Sequence, residues 1–171
     1  MKAVLSTKRL FLREANIGDA AFILELLNDE GWIKYIGDRN IRSIPQAGAY
    51  ISKSLISSYK KNGFGLYVVT EKGSNNKIGL CGLLKRDILE NVDVGFAFLT
   101  AFCNKGYGYE SASAIIDLAF NKLNLKKVVG ITLEVNHASK RLLEKIGLSF
   151  EKMITYENGE ELMLYSRTKN N

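Results

Sequence analysis

Asp93-Val94-Gly95-Phe96-Ala97-Phe98-Leu99, followed after a short gap by Asn104-Lys105-Gly106-Tyr107-Gly108-Tyr109-Glu110, is the stretch on which the fold turns. The first seven residues read as a buried strand. From Tyr107 to Leu123 the spacing is helical, with Ala112, Ile115, Ile116, Ala119 and Phe120 on one face. Strand, glycine loop and helix together make a phosphate-holding layout. Glycines let the main chain approach a ligand closely, and the first amides of a helix are unpaired donors at the positive end of its dipole. Lys105 adds charge. A dinucleotide fingerprint needs glycine or alanine at position 111, where Ser111 stands, and the Gly-Lys-Ser/Thr of a P-loop does not occur. Read alone, the same Gly-x-Gly also suits a plain tight turn.

Upstream of this stretch, Phe64–Thr70 and Lys77–Leu84 carry the period-two pattern of strands and join Val92–Leu99 in an antiparallel meander. Before them come a strand over Arg9–Arg13 and a helix with Asp19 as N-cap and Ala20, Ile23, Leu24 and Leu27 inward, ended by Gly31. Pro45 then opens a second helix with the stripe Ala47, Tyr50, Ile51, Leu55 and Tyr59, broken by Gly63 and Gly65. Downstream, Lys127–Val135 is a β-branched strand, His137–Ile146 a helix ended by Gly147, and two closing strands flank Glu157-Asn158-Gly159-Glu160. The sum is one α/β (α+β) domain over residues 1–171: a mixed, mostly antiparallel twisted sheet of about seven strands flanked by about four helices.

Composition agrees with a packed domain, at 171 residues with 46% hydrophobic and 25% charged. The apolar runs fall well short of a bilayer-spanning length, and the start turns charged at Lys8-Arg9, so the expected location is the cytoplasm. Cys81, Cys103 and the single histidine, His137, make neither a disulfide framework nor a metal centre; both thiols are expected to be reduced and structural. The net charge of +6 is interspersed rather than clustered, which does not indicate nucleic acid.

A second segment, Val135-Asn136-His137-Ala138-Ser139-Lys140-Arg141-Leu142-Leu143-Glu144-Lys145-Ile146-Gly147-Leu148, lies at the end of the next strand. With the glycine loop it resembles the GNAT superfamily of acetyl-CoA-dependent N-acetyltransferases, closest to the ribosomal-protein N-terminal (Rim-type) branch. Thr7–Arg13, Trp32–Arg42 and Ile78-Gly79-Leu80-Cys81-Gly82 also look like that branch. The resemblance implies that the strand Val92–Leu99 splays from Lys127–Val135, with the pantetheine arm of acetyl-CoA bonded in the fork like an added strand. Phe98, Leu99, Asn104, Lys105, Gly106, Tyr107, Gly108, Tyr109, Asn136 and Ser139 would then hold this cosubstrate, and no metal takes part. Two departures stand out: Cys103 replaces the usual Gln or Arg at the loop start, and Thr100 replaces a common proline.

The resemblance also assigns roles. A main-chain amide near Leu99 would bind the thioester oxygen. Many superfamily members carry a tyrosine acid where this chain has Leu143; Ser139, as in Rim-type enzymes, would instead donate a hydrogen bond to the leaving sulfur, or simply serve the first turn of its helix. Asp93 matches a carboxylate that takes the amine proton, against the alternative of a solvated strand residue. Asn136 would bridge strand end, cosubstrate and acceptor, or act as an N-cap; His137 reads as solvated.

Trp32, Tyr35 and Ile36, with Tyr156 of the closing hairpin, would line the acceptor, or pack the core. Glu110, Glu157, Glu160 and Glu161 would supply acidity to a cationic acceptor or lie in solvent, and Lys140 and Lys145 would face phosphate or solvent. Cys103, beside the diphosphate end, is too far from the acetyl group to carry it. The acceptor is a primary amine, either a peptide N-terminus or a small amine. An α-amine is roughly one-seventh neutral at pH 7 and a lysine about four parts in 10,000, so a weak base favours the α-amine. Three rival readings are a CoA-binding sensor without efficient turnover, a small-amine or antibiotic acetyltransferase, and a basic nucleic-acid module. Assembly as monomer or homodimer fits equally.

Overall fold

The computed structural model describes residues 3–156 and 158–169. Eight strands make one sheet in the order β1-β2-β3-β4-β5-β6-β8-β7. They are β1 Leu5–Ser6, β2 Leu10–Arg13, β3 Leu66–Glu71, β4 Lys77–Leu84, β5 Val92–Phe98, β6 Lys127–Thr132, β7 Ser149–Thr155 and β8 Glu161–Thr168. All neighbours are antiparallel except β5 and β6. The strand beyond the expected seven is β1, two residues paired to Leu12 and Phe11 and too short to leave a pattern. The expected strand to Val135 ends instead at Thr132, because the chain turns at Glu134-Val135 to start the last helix.

Among the described residues six α-helices flank the sheet: α1 Ala20–Leu27, α2 Glu30–Tyr35, α3 Ile44–Tyr50, α4 Ser57–Asn62, α5 Tyr107–Asp117 and α6 His137–Lys145. Wider π turns over Ile51–Ile56 weld α3 to α4, so the rod expected from Pro45 is continuous until Gly63 closes it at φ 76°. Gly31 does not end α1; α1 stops at Asn28, and Gly31 lies inside the short α2 capped by Asp29. Among the described residues, no helix is long and apolar enough to cross a membrane.

Strand alternation divides the core into two layers. Val94, Phe96 and Phe98 pack with Cys81, Ile115 and Leu143 on the face covered by α5 and α6, and Ala97 and Leu99 pack with Ile23, Leu26 and Ile51 on the face covered by α1 to α4. Asp93 belongs to the second face by the same alternation. Asp19, expected as the N-cap of α1, makes no cap bond to that helix; Asn16 is the N-cap of the turn that leads into it, and the Asp19 carboxylate accepts back from the Asn16 N–H at 2.9 Å while lying in the core. It accepts two bonds of 2.7 Å from Arg13 and one of 2.8 Å from Lys77, which ties β2, β4 and the entry to α1 together.

Candidate active site

The β5–β6 ladder has only two pairs, Val92 with Val128 and Asp93 with Val129. Beyond them β5 stays bonded to β4 as far as Phe98, and β6 to β8 as far as Thr132, so the two strands part and leave a fork. The N–H of Leu99 donates to the Ile78 carbonyl at 3.0 Å, toward β4. It therefore does not point into the fork, so the oxygen-binding amide expected near Leu99 is not that of Leu99 itself. Because main-chain groups alternate, the amides of Phe96 and Phe98 are the ones that face it. Leu143 is buried against Gly130 of β6, where an added Cβ would come within 2.5 Å of the leucine. The position of the missing tyrosine is thus part of the core.

Past Leu99 a short turn, Thr100–Phe102, leads to the glycine loop. The Asp29 carboxylate accepts from the Thr100 N–H at 3.0 Å, the Thr100 hydroxyl at 2.7 Å and the Gly31 N–H at 2.9 Å. Burial raises its pKa and these bonds outweigh it, leaving the group lowered. A proline at position 100 has no N–H to give, so the departure at Thr100 has a partner. Cys103 is exposed rather than structural, with its pKa raised by partial burial and by the charge of Asp29.

The loop takes left-handed main-chain angles at Asn104 (φ 61°) and Gly106 (φ 80°). The Glu110 amide bonds the Gly106 carbonyl at 3.1 Å, which leaves the amides of Tyr107, Gly108 and Tyr109 ahead of the helical ladder. At Gly108 an added Cβ would stand 3.1 Å from Leu142. Unpaired donors on a close-packed turn suit the diphosphate of CoA.

What fastens this loop was not read from the sequence. Glu110 accepts from the Thr7 hydroxyl, the Arg9 N–H and Arg9 Nε, each at 2.6 Å, and Arg9 Nη1 donates to the Lys105 carbonyl at 3.0 Å. Glu110 is therefore a tether to the β1–β2 turn, not acidity for an acceptor. Its replacement by alanine is expected to weaken acetyl-CoA binding about tenfold, equivalent to about 1.4 kcal/mol. Titration calorimetry checks this, and an unchanged Kd would show that the loop holds its shape unaided. Lys105 lies over the Phe102 ring and Lys145 over Tyr109.

At the start of α6, Asn136 Oδ1 accepts from the Ser139 N–H at 3.1 Å, so Asn136 is the N-cap and only its amide nitrogen is left for a ligand. The half-buried Ser139 hydroxyl makes no hydrogen bond among the described residues. His137 is exposed.

Across the sheet, Asp93 is 1% exposed. Its Oδ2 accepts from Arg86 Nε at 2.6 Å, while Oδ1 has no partner among the described residues. Burial pushes the carboxyl up to about 6, against the pull of the Arg86 charge and the Ile131 N–H. Asp93 is thus a core carboxylate beside the fork and not a solvated one. Tyr156 is half-buried and accepts from Arg86 Nη1 at 3.1 Å. Trp32 is buried among Leu26, Leu27 and Leu99, the packing alternative; Tyr35 is half-buried beneath Lys34, and Ile36 is exposed. Glu160 is exposed, Glu161 accepts from the Thr155 hydroxyl at 2.6 Å, and Glu157 lies outside the described residues. Arg86 carried no motif that marked it in advance.

Residues 9–149 match the family model of the acetyltransferase (GNAT) domain. The uncharacterized N-acetyltransferase YnaD of Bacillus subtilis is 27% identical over 147 residues, covering 86% of this chain and 83% of that protein. A GNAT-family acetyltransferase structure from Bacillus anthracis superposes with a TM-score of 0.80 at 22% identity, over 96% of this chain and 97% of its own. RimL, a ribosomal L7/L12 α-N-protein acetyltransferase solved with coenzyme A, superposes with a TM-score of 0.83 at 15% identity, over 98% of each chain. The fork, the glycine cradle and the family match lead to one conclusion: this chain belongs to the GNAT acetyltransferases and is an N-acetyltransferase.

Proposed function

We propose that this protein moves an acetyl group from acetyl-CoA straight to a primary amine, foremost an α-amine such as a protein N-terminus, with Asp93 as base and Ser139 assisting the leaving sulfur. The observation that carries the reading is the fork itself. It opens directly beyond Asp93, with the glycine cradle at its far end and the unpartnered Asp93 Oδ1 on the opposite sheet face.

Acetyl-CoA supplies an activated acyl carbon. Phe96 and Phe98 amides in the fork are placed to polarise its carbonyl oxygen, and the amides of Tyr107 to Tyr109 to hold its diphosphate. The acceptor nitrogen bonds to the acyl carbon, the carbon–sulfur bond breaks, and the nitrogen's proton passes to Asp93. The Ser139 hydroxyl steadies the sulfur that leaves. Asn136 orders the first turn of α6 so that Ser139 stands free. Tyr35 and Tyr156 frame the acceptor side.

A weak base such as the Asp93 carboxylate supports an α-amine over a polyamine, because an α-amine is the more often neutral near pH 7. The test is CoA release with N-terminal peptides, amino acids and spermidine. Release is expected with the α-amines, slowed about tenfold by Ser139→Ala. Acetyl-CoA that raises stability by about 2.7 kcal/mol at a hundredfold excess, yet yields no CoA with any amine, would make the protein a sensor instead.

A further inference from the structure

We propose that Arg86 is a positioning residue for the transfer: its guanidinium clasps the Asp93 carboxylate from the β4–β5 turn and is itself tethered by Tyr156 of the β7–β8 turn. The hairpin at the acceptor side and the base are then one mechanical unit. This rests on Asp93 being the base.

The strand register, the hydrogen bonds of Arg86 and Lys85, and the burial of Asp93 carry the inference. Register pairs Leu84 with Asp93, so Arg86 stands two residues beyond the partner of Asp93, at the point where β4 leaves the sheet. From there its Nε reaches Asp93 Oδ2 at 2.6 Å and its Nη1 reaches the Tyr156 hydroxyl at 3.1 Å. Lys85, the other nearby cation, is turned away, its Nζ donating to the carbonyls of Leu89 at 3.3 Å and Glu90 at 3.0 Å. Asp93 is 1% exposed while the Arg86 side chain keeps 29% of its surface. One end of the pair is therefore sealed in the sheet and the other is open to the acceptor side.

The groups that face Asp93 are few. Arg86 approaches from the β4–β5 turn, the Ile131 N–H from β6, and Tyr156 acts through Arg86. A carboxyl sealed in apolar surroundings holds its proton, and a proton-bearing carboxyl cannot take another from an amine. Among the described residues, the charge that opposes this is that of Arg86. By binding only Oδ2, it leaves Oδ1 as the free acceptor and fixes the plane of the carboxylate. A lysine in its place keeps the charge but not the two-pronged hold on Asp93 and Tyr156.

The experiment follows the Asp93 carboxyl carbon by NMR in protein labelled at aspartate, with Asp93→Asn assigning the signal, beside the pH profile of kcat/KM. Arg86→Gln is expected to move the carboxyl midpoint upward by one to two units. The acid limb of the rate profile should move with it, costing about two- to tenfold at pH 7 and recovering at higher pH. Arg86→Lys is expected to lie between wild type and Arg86→Gln, and Tyr156→Phe to shift the midpoint by less. A midpoint that stays put in Arg86→Gln overturns the proposal; should that variant not fold, an unmoved midpoint in Arg86→Lys does the same. A midpoint that moves while the rate limb does not overturns Asp93 as base and leaves the clasp standing.

Discussion

Asp93→Asn is expected to lower kcat/KM for an α-amine acceptor by about a hundredfold or more at pH 7.5, with the KM for acetyl-CoA little changed. Asparagine keeps the shape and can still meet Arg86, but it accepts no proton. In the wild type the working form is the ionised carboxylate. With burial holding the carboxyl at about 6, the rate should climb as pH rises through that value and level off above it. The variant should lack this limb. A wild-type profile flat between pH 5 and 7, or a variant within a few fold of wild type, would remove Asp93 from the chemistry.

Stability carries the opposite sign at this residue. The folded chain holds the Asp93 proton more tightly than the unfolded chain does, so the contribution is full below the ordinary carboxyl value of 3.8 and is lost as pH rises to about 6. The difference is about 3 kcal/mol, set against a function that needs the charged form. A sealed carboxylate with one oxygen unbonded is a costly feature for a core, and such features gather at working sites. That cost distinguishes Asp93 from an ordinary strand residue more clearly than its place in a sequence pattern does.

Local chemistry explains what was readable from the chain. Glycine at 106 and 108 and the apolar stripe from Ala112 to Phe120 dictate a turn and a helix with little help from elsewhere, so the cradle stood out. Lys77–Leu84 was legible to the residue because Asn75-Asn76 precede it and its apolar run stops at Lys85-Arg86. Partner choice, by contrast, depends on residues about 100 positions apart. Glu110 has the same exposed-helix look whether it faces solvent or receives Thr7 and Arg9, and only the closing of the sheet decides. The direction of one amide, Leu99 toward Ile78, depends on register, and a shift of one residue reverses it. Trp32 stayed open between two readings, and Asp19 was placed at the wrong position of its cap, for a related reason: aromatic and acidic residues next to a helix start suit a binding wall, a cap or the core until the neighbouring layer is in place.

Asp19→Ala is expected to destabilise the fold by about 3–5 kcal/mol, because it strands a buried guanidinium. Arg13 and Asp19 keep only 6% and 2% of their side-chain surface, and their two bonds of 2.7 Å form a fork-to-fork pair. Arg13 Nη1 also donates to the Glu14 carbonyl, and Asp19 accepts from the Asn16 N–H and Lys77. Every lone pair that burial would penalise is thus met. Burial raises the Asp19 pKa, yet the bonds from Arg13, Lys77 and Asn16 win and hold it well below the usual carboxylate range. Its contribution is therefore present above the ordinary carboxyl pKa and fades only as pH falls below it, the mirror image of Asp93. For a chain of this length the loss corresponds to a fall in Tm of about 10 °C, measured by urea and thermal melts. Arg13→Met combined with Asp19→Leu removes both charges together and should cost less than the two single changes added, since neither partner is left alone. Activity per folded molecule should survive in all three, because the pair touches neither fork nor cradle. A loss below about 1 kcal/mol in Asp19→Ala would mean that water reaches Arg13 and that the pair behaves as a surface bridge.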